Sequence, residues 1–176
     1  MSAFVLGYGS LVADVAGGHR AVLTGARRAW TVAMDNTLDL PGYKFYLDAD
    51  GVRPAVSVAF LDLVDDSTAS VEGICRPVTD DDLAGLDRRE RQYERVDVTD
   101  RVHSAPGRTW TYVGRADSRA RATRAREDGT LRIARAYLHT VFAAYDRLGA
   151  DARHRFDAST DPPGVPVIAL TRVDLG

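Results

Sequence analysis

The stretch FVLGYGSLV, residues 4–12, places a short apolar run directly before a tyrosine that two glycines bracket. The apolar run predicts a buried strand that ends at the glycines. A dinucleotide-binding loop would need a third glycine where Val12 stands, a Walker loop would need Gly-Lys-Ser/Thr, and a nucleophile elbow would need Gly-x-Ser-x-Gly. The remaining interpretations are a turn where a ligand approaches backbone N–H groups closely, and a tight turn that only packs Tyr8.

The rest of the chain predicts further strands and a few helices. We expect strands at 21–34 with a possible bulge at Gly25, at 43–47 and 55–61 on either side of a hairpin or loop at 48–51, and at 71–78, 93–102, 109–114 and 165–170. We expect one helix from a Thr79 cap to about Gln92, one solvated helix over 115–126, and one capped by Thr130 with the apolar stripe Ile133, Tyr137, Val141, Tyr145 and Leu148. This order predicts an α+β fold, a curved mixed sheet or small β-barrel with few flanking helices, in a single domain over residues 1–176.

Composition and charge exclude several classes of function. A net charge of −2 over 176 residues gives no electrostatic basis for binding nucleic acid or an anionic membrane. Cys75 is the only cysteine and the four histidines show no metal-ligand spacing, so we expect no disulfide, no metal and no other cofactor. The sequence contains no signal peptide and no stretch of transmembrane length, which predicts a cytoplasmic protein. Lys44 is the only lysine, which we attribute to a general preference for arginine.

A second candidate feature is the segment LAGLDRRERQY, residues 83–93. At about 100° per residue, Leu83 and Leu86 define the inward face of the predicted helix, and Glu90 projects between them. A carboxylate on an apolar face is costly unless it is paired or used. Glu90 is therefore either a helix-end residue that is ion-paired to an arginine, or a general base in a partly desolvated pocket.

Together, two motifs resemble the gamma-glutamylcyclotransferase-like superfamily. The first is GYGSL at the end of the first strand, and the second is LDRRERQYERVDV, which begins at Leu86. The strand TWTYVG around Tyr112 is also similar to a family element, so the resemblance covers roughly residues 4–114. It implies a curved, barrel-like α+β fold in which the loop and Glu90 face one cavity.

The resemblance also implies a reaction. The α-amine of a γ-glutamyl group attacks its own γ-carbonyl and releases 5-oxoproline with a free amine or amino acid, without a metal or cofactor. Tyr8, Gly9, Ser10 and Leu11 match the loop that holds the γ-glutamyl group through backbone groups, and Tyr112 belongs to the matching strand. Glu90 matches the catalytic acid/base. GYGSL is most similar to ChaC-type enzymes and the Leu-Asp-x-x-Glu spacing to the γ-glutamylamine type, so the leaving group stays open.

Two other classes of function compete with this one. A catalytically silent member of the same fold would bind a small ligand without turnover. An RNA-binding protein would use the arginines of 115–126, but that segment lacks aromatic stacking partners. We therefore expect a small-molecule γ-glutamyl substrate as the partner, no nucleic acid or membrane, and a monomer or homodimer.

Overall fold

The computed structural model describes residues 3–14, 17–103, 105 and 107–175. Within these residues a curled mixed sheet forms a half-barrel, flanked by four α-helices and a small two-stranded sheet, which confirms the predicted fold class. The strands are β1 (Ala3–Gly7), β2 (His19–Asp35), β3 (Lys44–Leu47), β4 (Ser57–Val78), β5 (Tyr93–Asp97), β6 (Val102–His103), β7 (Arg108–Gly114), β8 (Leu131–Ala134), β9 (Val167–Ile168) and β10 (Thr171–Asp174). The helices are α1 (Asp80–Arg89), α2 (Ala116–Glu127), α3 (Arg135–Arg147) and α4 (Ala150–Ala158).

The large sheet has the strand order β5-β7-β1-β4-β2-β6, with β8 pairing on β4 and β9 on β8. Its centre is the long antiparallel pair of β2 and β4, whose register shifts between Thr24 and Ala26. Gly25 lies at this shift with a φ of 74°, a conformation that glycine adopts without steric cost, so the predicted bulge is confirmed. β4 runs for 22 residues and joins the two strands predicted at 55–61 and 71–78. The polar residues between them lie on a solvent-facing part of the pair, where a strand tolerates them.

Of the two alternatives for residues 48–51, the loop forms and the hairpin does not. The turn itself forms, since the N–H of Gly51 donates to the carbonyl oxygen of Asp48 at 3.1 Å. However, β3 pairs antiparallel with β10 and not with β4. The buried amide of Asn36 donates to the carbonyl oxygens of Tyr46 at 2.9 Å and Pro54 at 3.0 Å. Asn36 thus bridges the segments on the two sides of the turn, which is also closed by a hydrogen bond from the N–H of Asp48 to the carbonyl oxygen of Val52 at 2.8 Å.

The capping box predicted at the start of α1 is confirmed. The Thr79 hydroxyl oxygen accepts from the N–H of Asp82 at 3.1 Å, and the Asp82 carboxylate accepts from the N–H of Thr79 at 2.8 Å. Such a cap stabilises a helix by about 1 kcal/mol. The helix ends at Arg89 and not at Gln92. The strand predicted at 93–102 is also divided, because a 3₁₀ turn at Thr99–Arg101 separates β5 from β6.

The C-terminal third differs most from the prediction. Thr130 does not cap a helix but precedes β8, in which the buried side chains of Leu131 and Ile133 alternate as in a strand. α3 begins only at Arg135, and α4 was not predicted. Of the terminal strand predicted at 165–170, only β9 at Val167–Ile168 is present, and β10, which follows it in the other sheet, was not predicted.

The arginine-rich segment forms α2 as predicted, but the helix is not simply solvated. Arg119 donates from Nε to the buried carboxylate of Asp62 at 2.7 Å. Arg121 and Arg126 donate to backbone carbonyl oxygens of β2 at 2.9 Å and 3.1 Å. These arginines therefore attach the helix to the outside of the sheet.

Candidate active site

The GYGSL loop leaves the end of β1 and enters a 3₁₀ turn at Ser10–Ala13. Both of its glycines lie in tight space. A Cβ atom on Gly7 would be 2.7 Å from the Cβ of Leu11, and one on Gly9 would be 3.2 Å from the hydroxyl oxygen of Tyr137. The absence of side chains at these two positions lets the loop fold closely on itself and against α3.

Tyr8 is buried, and both its side chain and its carbonyl group are engaged inside the protein. Its hydroxyl donates to the carbonyl oxygen of Tyr112 at 2.7 Å. Its carbonyl oxygen accepts from Nε of Arg28 at 2.8 Å and from the hydroxyl of Tyr145 at 3.0 Å. Burial raises the pKa of Tyr8 well above its ordinary value, so the phenol remains a neutral donor. These contacts fix the loop, and the Tyr8 side chain does not line the cavity described below.

The buried guanidinium of Arg28 links this loop to the helices behind it. Besides Tyr8, it donates to the hydroxyl oxygen of Ser159 at 2.7 Å, to that of Tyr145 at 2.5 Å and to the carbonyl oxygen of Glu72. Its carbon Cζ also stacks 4.7 Å from the ring centre of Phe156. Burial lowers the pKa of Arg28, which pairs with hydroxyl and carbonyl dipoles. Because arginines are abundant in the sequence, sequence reasoning did not identify Arg28 as a residue that supports the site.

A cavity of about 990 Å³ opens beside the loop. It lies between the loop, β3, the end of α1, the start of α3 and β10. Ser10 is the residue of the GYGSL loop that lines this cavity. The aromatic residues of the wall are Tyr43, Tyr46, Phe60, Tyr93 and Tyr137, and its charged residues are Asp14, Lys44, Arg88, Arg89, Glu90, Arg91, Arg172 and Asp174.

Glu90 lines this cavity from the C-terminal cap of α1. Its side chain is 16% exposed, and its Oε1 lies 3.0 Å from Nε of Arg89. The prediction that Glu90 lies on the inward face of the helix is wrong, because α1 ends at Arg89 and Glu90 is its C-terminal cap. Leu83 and Leu86 pack with Val5 in a separate apolar cluster. The carboxylate is thus both paired to a neighbouring arginine and directed into the cavity.

Two tyrosine hydroxyls bind the backbone of the same β4 residue. Tyr93 donates to the carbonyl oxygen of Leu61 at 2.7 Å, and the hydroxyl of Tyr137 accepts from the N–H of Leu61 at 3.4 Å. Burial raises the pKa of both phenols, and the nearby carboxylate of Glu90 also raises it. Both remain protonated at neutral pH, and within the described part of the chain Tyr137 keeps its hydrogen free as a donor next to Gly9. Sequence reasoning missed both, although Tyr93 lies within the second motif.

The single lysine of the chain lies in the cavity, where sequence reasoning assigned it no role. Lys44 is half-buried in β3, with its Nζ 4.6 Å from the ring centre of Phe60 and 5.3 Å from that of Tyr43. Burial lowers the pKa of Lys44 to about 8, and the nearby cation Arg172 adds to this. Its uniqueness in the composition was the one signal that could have identified it.

Leu11 and Tyr112, two further residues of the expected substrate site, lie outside the cavity wall. The Tyr112 hydroxyl donates to the carboxylate of Asp87 at 2.7 Å, and its ring is buried beside Val5 and Leu83. Leu11 packs against the same cluster. The structure therefore brings Ser10 and Glu90 together on one wall, while the Tyr8 and Tyr112 side chains support the loop from behind.

Neither a metal cluster nor a membrane-spanning helix is present among the described residues. No group of three or more histidine, cysteine, aspartate or glutamate side chains there is arranged to hold a metal ion. No helix in the same part of the chain combines the length and apolar character needed to span a membrane.

Solved structures share this fold. A structure titled gamma-glutamyl cyclotransferase superimposes with a TM-score of 0.57 at 10% sequence identity, and the match covers 93% of this chain and 89% of the other. An uncharacterized protein from Homo sapiens superimposes with a TM-score of 0.56 at 11% identity, covering 92% of this chain and 89% of the other. At these identities the likeness establishes the fold alone.

Sequence comparison extends this result to the family. No curated protein matches the chain significantly. The family described as gamma-glutamyl cyclotransferase, AIG2-like, matches residues 5–134, which include the GYGSL loop, Lys44, Glu90 and Tyr112. This match spans most of the 176 residues. The chain therefore belongs to the AIG2-like gamma-glutamyl cyclotransferase family.

Proposed function

We propose that this protein is an active γ-glutamyl cyclotransferase, which releases 5-oxoproline and a free amine or amino acid from a γ-glutamyl compound. One observation carries the proposal: the Glu90 carboxylate and the GYGSL loop border the same cavity. Family membership supports the same reaction class. The cavity volume of about 990 Å³ suffices for a dipeptide-sized ligand.

The loop holds the γ-glutamyl group through its backbone. Among the described residues, no acceptor is found for the N–H groups of Gly9, Ser10 and Leu11. Unpaired N–H donors of this kind bind the carboxylate and the carbonyl oxygen of a γ-glutamyl group. Arg28 and Tyr145 keep the loop in this orientation by holding the Tyr8 carbonyl oxygen. Leu11 thus contributes its backbone N–H group. Tyr8 holds the loop in place through its carbonyl oxygen, and the carbonyl oxygen of Tyr112 fixes the Tyr8 hydroxyl.

Glu90 moves the proton. It takes a proton from the α-ammonium of the substrate, because a protonated amine has no lone pair for attack. The amine nitrogen then forms a bond to the γ-carbonyl carbon, giving a tetrahedral intermediate. Glu90 gives its proton to the leaving nitrogen as the original amide C–N bond breaks. The ring nitrogen, which carries two hydrogens and a positive charge after the attack, then passes one proton through Glu90 to the released amine, so that 5-oxoproline is a neutral lactam and the amine leaves as an ammonium ion. Atoms and charge balance with no other reactant.

The cavity supplies the remaining catalytic effects. The attack is intramolecular, so a curled γ-glutamyl chain places the amine and carbonyl at high effective concentration. The neutral phenol of Tyr137 lies beside the loop and accepts from the N–H of Leu61, so its own hydrogen can stabilise the developing negative charge on the carbonyl oxygen. Arg89 orients the Glu90 carboxylate through their ion pair before substrate binds.

Incubation of the purified protein with a panel of γ-glutamyl amino acids, glutathione and γ-glutamyl amines, followed by a 5-oxoproline assay, tests the proposal. We expect 5-oxoproline in equimolar amount with the free amine from at least one substrate. If a γ-glutamyl ligand binds but no panel member is converted, the protein is a silent binding member of the family.

A further inference from the structure

The cavity carries more positive than negative charge. Its wall contains five cationic side chains and three carboxylates, namely Lys44, Arg88, Arg89, Arg91, Arg172, Asp14, Glu90 and Asp174. Each carboxylate already has an arginine partner. Glu90 pairs with Arg89 at 3.0 Å and Asp174 with Arg172 at 2.5 Å, whereas Asp14 pairs with Arg76 at 3.4 Å. The wall is therefore suited to an anionic ligand.

Among the described residues, the cations of the wall without such a partner are Lys44, Arg88 and Arg91. Of these three only Lys44 is half-buried, whereas the two arginines are exposed. In the part of the chain that the structure describes, the Lys44 ammonium has no hydrogen-bond acceptor and no carboxylate within 4.0 Å, and its contacts are the rings of Phe60 and Tyr43. Lys44 faces Asp174 across the β3–β10 pair, but Asp174 is held by Arg172. A half-buried ammonium that lacks an anion is costly, and a ligand carboxylate would remove that cost.

The position of Lys44 indicates which end of the substrate it contacts. Gly9 adjoins the hydroxyl of Tyr137, whose ring packs edge-on against Phe60 with 5.1 Å between ring centres. The Lys44 ammonium contacts the same Phe60 ring, 4.6 Å from its centre. The row of contacts from the loop that holds the γ-glutamyl group to Lys44 therefore passes through the rings of Tyr137 and Phe60. The leaving group projects away from that loop.

We propose that Lys44 binds a carboxylate of the leaving group, so that the preferred substrates are γ-glutamyl amino acids or peptides and not simple γ-glutamyl amines. This inference rests on the proposed function for the direction in which the substrate lies. The rings of Tyr43 and Phe60 then pack against the side of the leaving amino acid. Lys44 is thereby a specificity-determining residue, and Glu90 remains the proton-transfer group.

A matched pair of ligands isolates the carboxylate. γ-Glutamylglycine and γ-glutamylmethylamine are identical in the glutamyl part and the amide bond, and only the first has a carboxylate on the leaving group. Affinities by calorimetry and kcat/KM by 5-oxoproline release are measured for wild type, Lys44→Met and Lys44→Arg. Arg108→Met is the control, since Arg108 is another cation stacked on an aromatic ring, 4.3 Å from the centre of Trp110, but lies outside the cavity.

We expect wild type to prefer γ-glutamylglycine by roughly tenfold or more, the effect of one charge-assisted contact. Lys44→Met should lose this preference because its affinity and kcat/KM fall for γ-glutamylglycine and not for γ-glutamylmethylamine. Lys44→Arg and Arg108→Met should retain the preference. Equal losses on both ligands would place Lys44 on the glutamyl carboxylate and overturn the inference, as would a wild type without preference. A preference in affinity without any turnover would support the Lys44 site and reject the proposed function.

Discussion

The hydroxyl of Tyr145 and the carbonyl oxygen of Tyr8 lie 3.0 Å apart, although 137 residues separate them in the sequence. The same hydroxyl donates to the carbonyl oxygen of Glu72 and accepts from the buried Arg28. This contact joins α3 to the loop that borders the cavity. Loop geometry therefore depends on a helix from the C-terminal part of the chain.

Removal of this contact should affect stability and substrate affinity together. Tyr145→Phe deletes one buried hydroxyl and leaves part of the Arg28 network unsatisfied, which we expect to cost about 1–3 kcal/mol of unfolding free energy. The loop should loosen, so KM for a γ-glutamyl substrate should rise more than kcat falls. Urea denaturation and steady-state kinetics check both values. A stability loss with unchanged KM would limit Tyr145 to a structural role.

The loop itself provides a second prediction. Gly9→Val puts a branched side chain where even a Cβ atom would lie 3.2 Å from the Tyr137 hydroxyl oxygen, so we expect substrate binding to be lost. Ser10→Ala keeps the backbone N–H groups and should retain measurable turnover. Calorimetric binding and 5-oxoproline release distinguish the two variants. Complete inactivity of Ser10→Ala with a trapped acyl-enzyme would instead identify Ser10 as a nucleophile.

Lys44 should lower the stability of the protein at neutral pH. Its pKa in the folded state is about 8, below the ordinary 10.5, so the unfolded chain binds more protons between these values. Its contribution to stability is therefore unfavourable below pH 8 and is relieved as the pH rises towards 10.5. Lys44→Met should unfold at an equal or higher temperature than wild type at pH 7. Thermal scans of both proteins from pH 7 to pH 10.5 should show the difference shrinking; a markedly less stable variant at pH 7 would contradict this.

The same titration should appear in substrate selection. As Lys44 loses its proton above about pH 8, the preference for γ-glutamylglycine over γ-glutamylmethylamine should decline. Effects of pH on Glu90 and on the α-amine are common to both substrates and cancel in the ratio of their kcat/KM values. The charged and titratable groups that act on Lys44 are Arg172, Glu90, Arg89 and Asp174, with Tyr43 beside it. A constant ratio from pH 7 to pH 9.5 would show that the Lys44 charge does not select substrates.

Local signals predicted the parts of the fold that local interactions determine. The capping box at Thr79, the bulge at Gly25 and the strand before GYGSL follow from residues adjacent in sequence. The pairing of β3 with β10 could not be found this way, because it joins segments more than 120 residues apart and depends on the buried side chain of Asn36. The apolar residues around Ile133 fit both helix and strand, and only the parallel pairing with β4 decides between them.

In the candidate site too, some residues could be predicted from local sequence and others could not. Glu90 and Ser10 lie in recognisable motifs, and the structure places both on one cavity wall. Lys44 and Tyr137 reach that wall from elements that carry no motif, so only the tertiary structure reveals them. Arg28 acts from behind the wall, and its burial could not be inferred from a sequence in which arginines are abundant.

Glu90 is the centre of the proposed function, and Glu90→Gln tests it most directly. The substitution preserves size and polarity but removes the basic carboxylate. Its ion pair is with the half-exposed Arg89, so loss of the pair should cost at most about 1 kcal/mol of stability. Glu94→Gln is the matched control, because Glu94 is exposed in β5 and carries the same charge.

The decisive measurement is kcat for 5-oxoproline release by Glu90→Gln, made alongside its melting temperature and its affinity for the substrate. Proton transfer by Glu90 predicts a fall in kcat of roughly 100-fold or more, with binding and melting temperature close to wild type and with Glu94→Gln fully active. Turnover near the wild-type rate in Glu90→Gln would contradict this, and would leave Glu90 as a helix-end ion pair with no part in the chemistry.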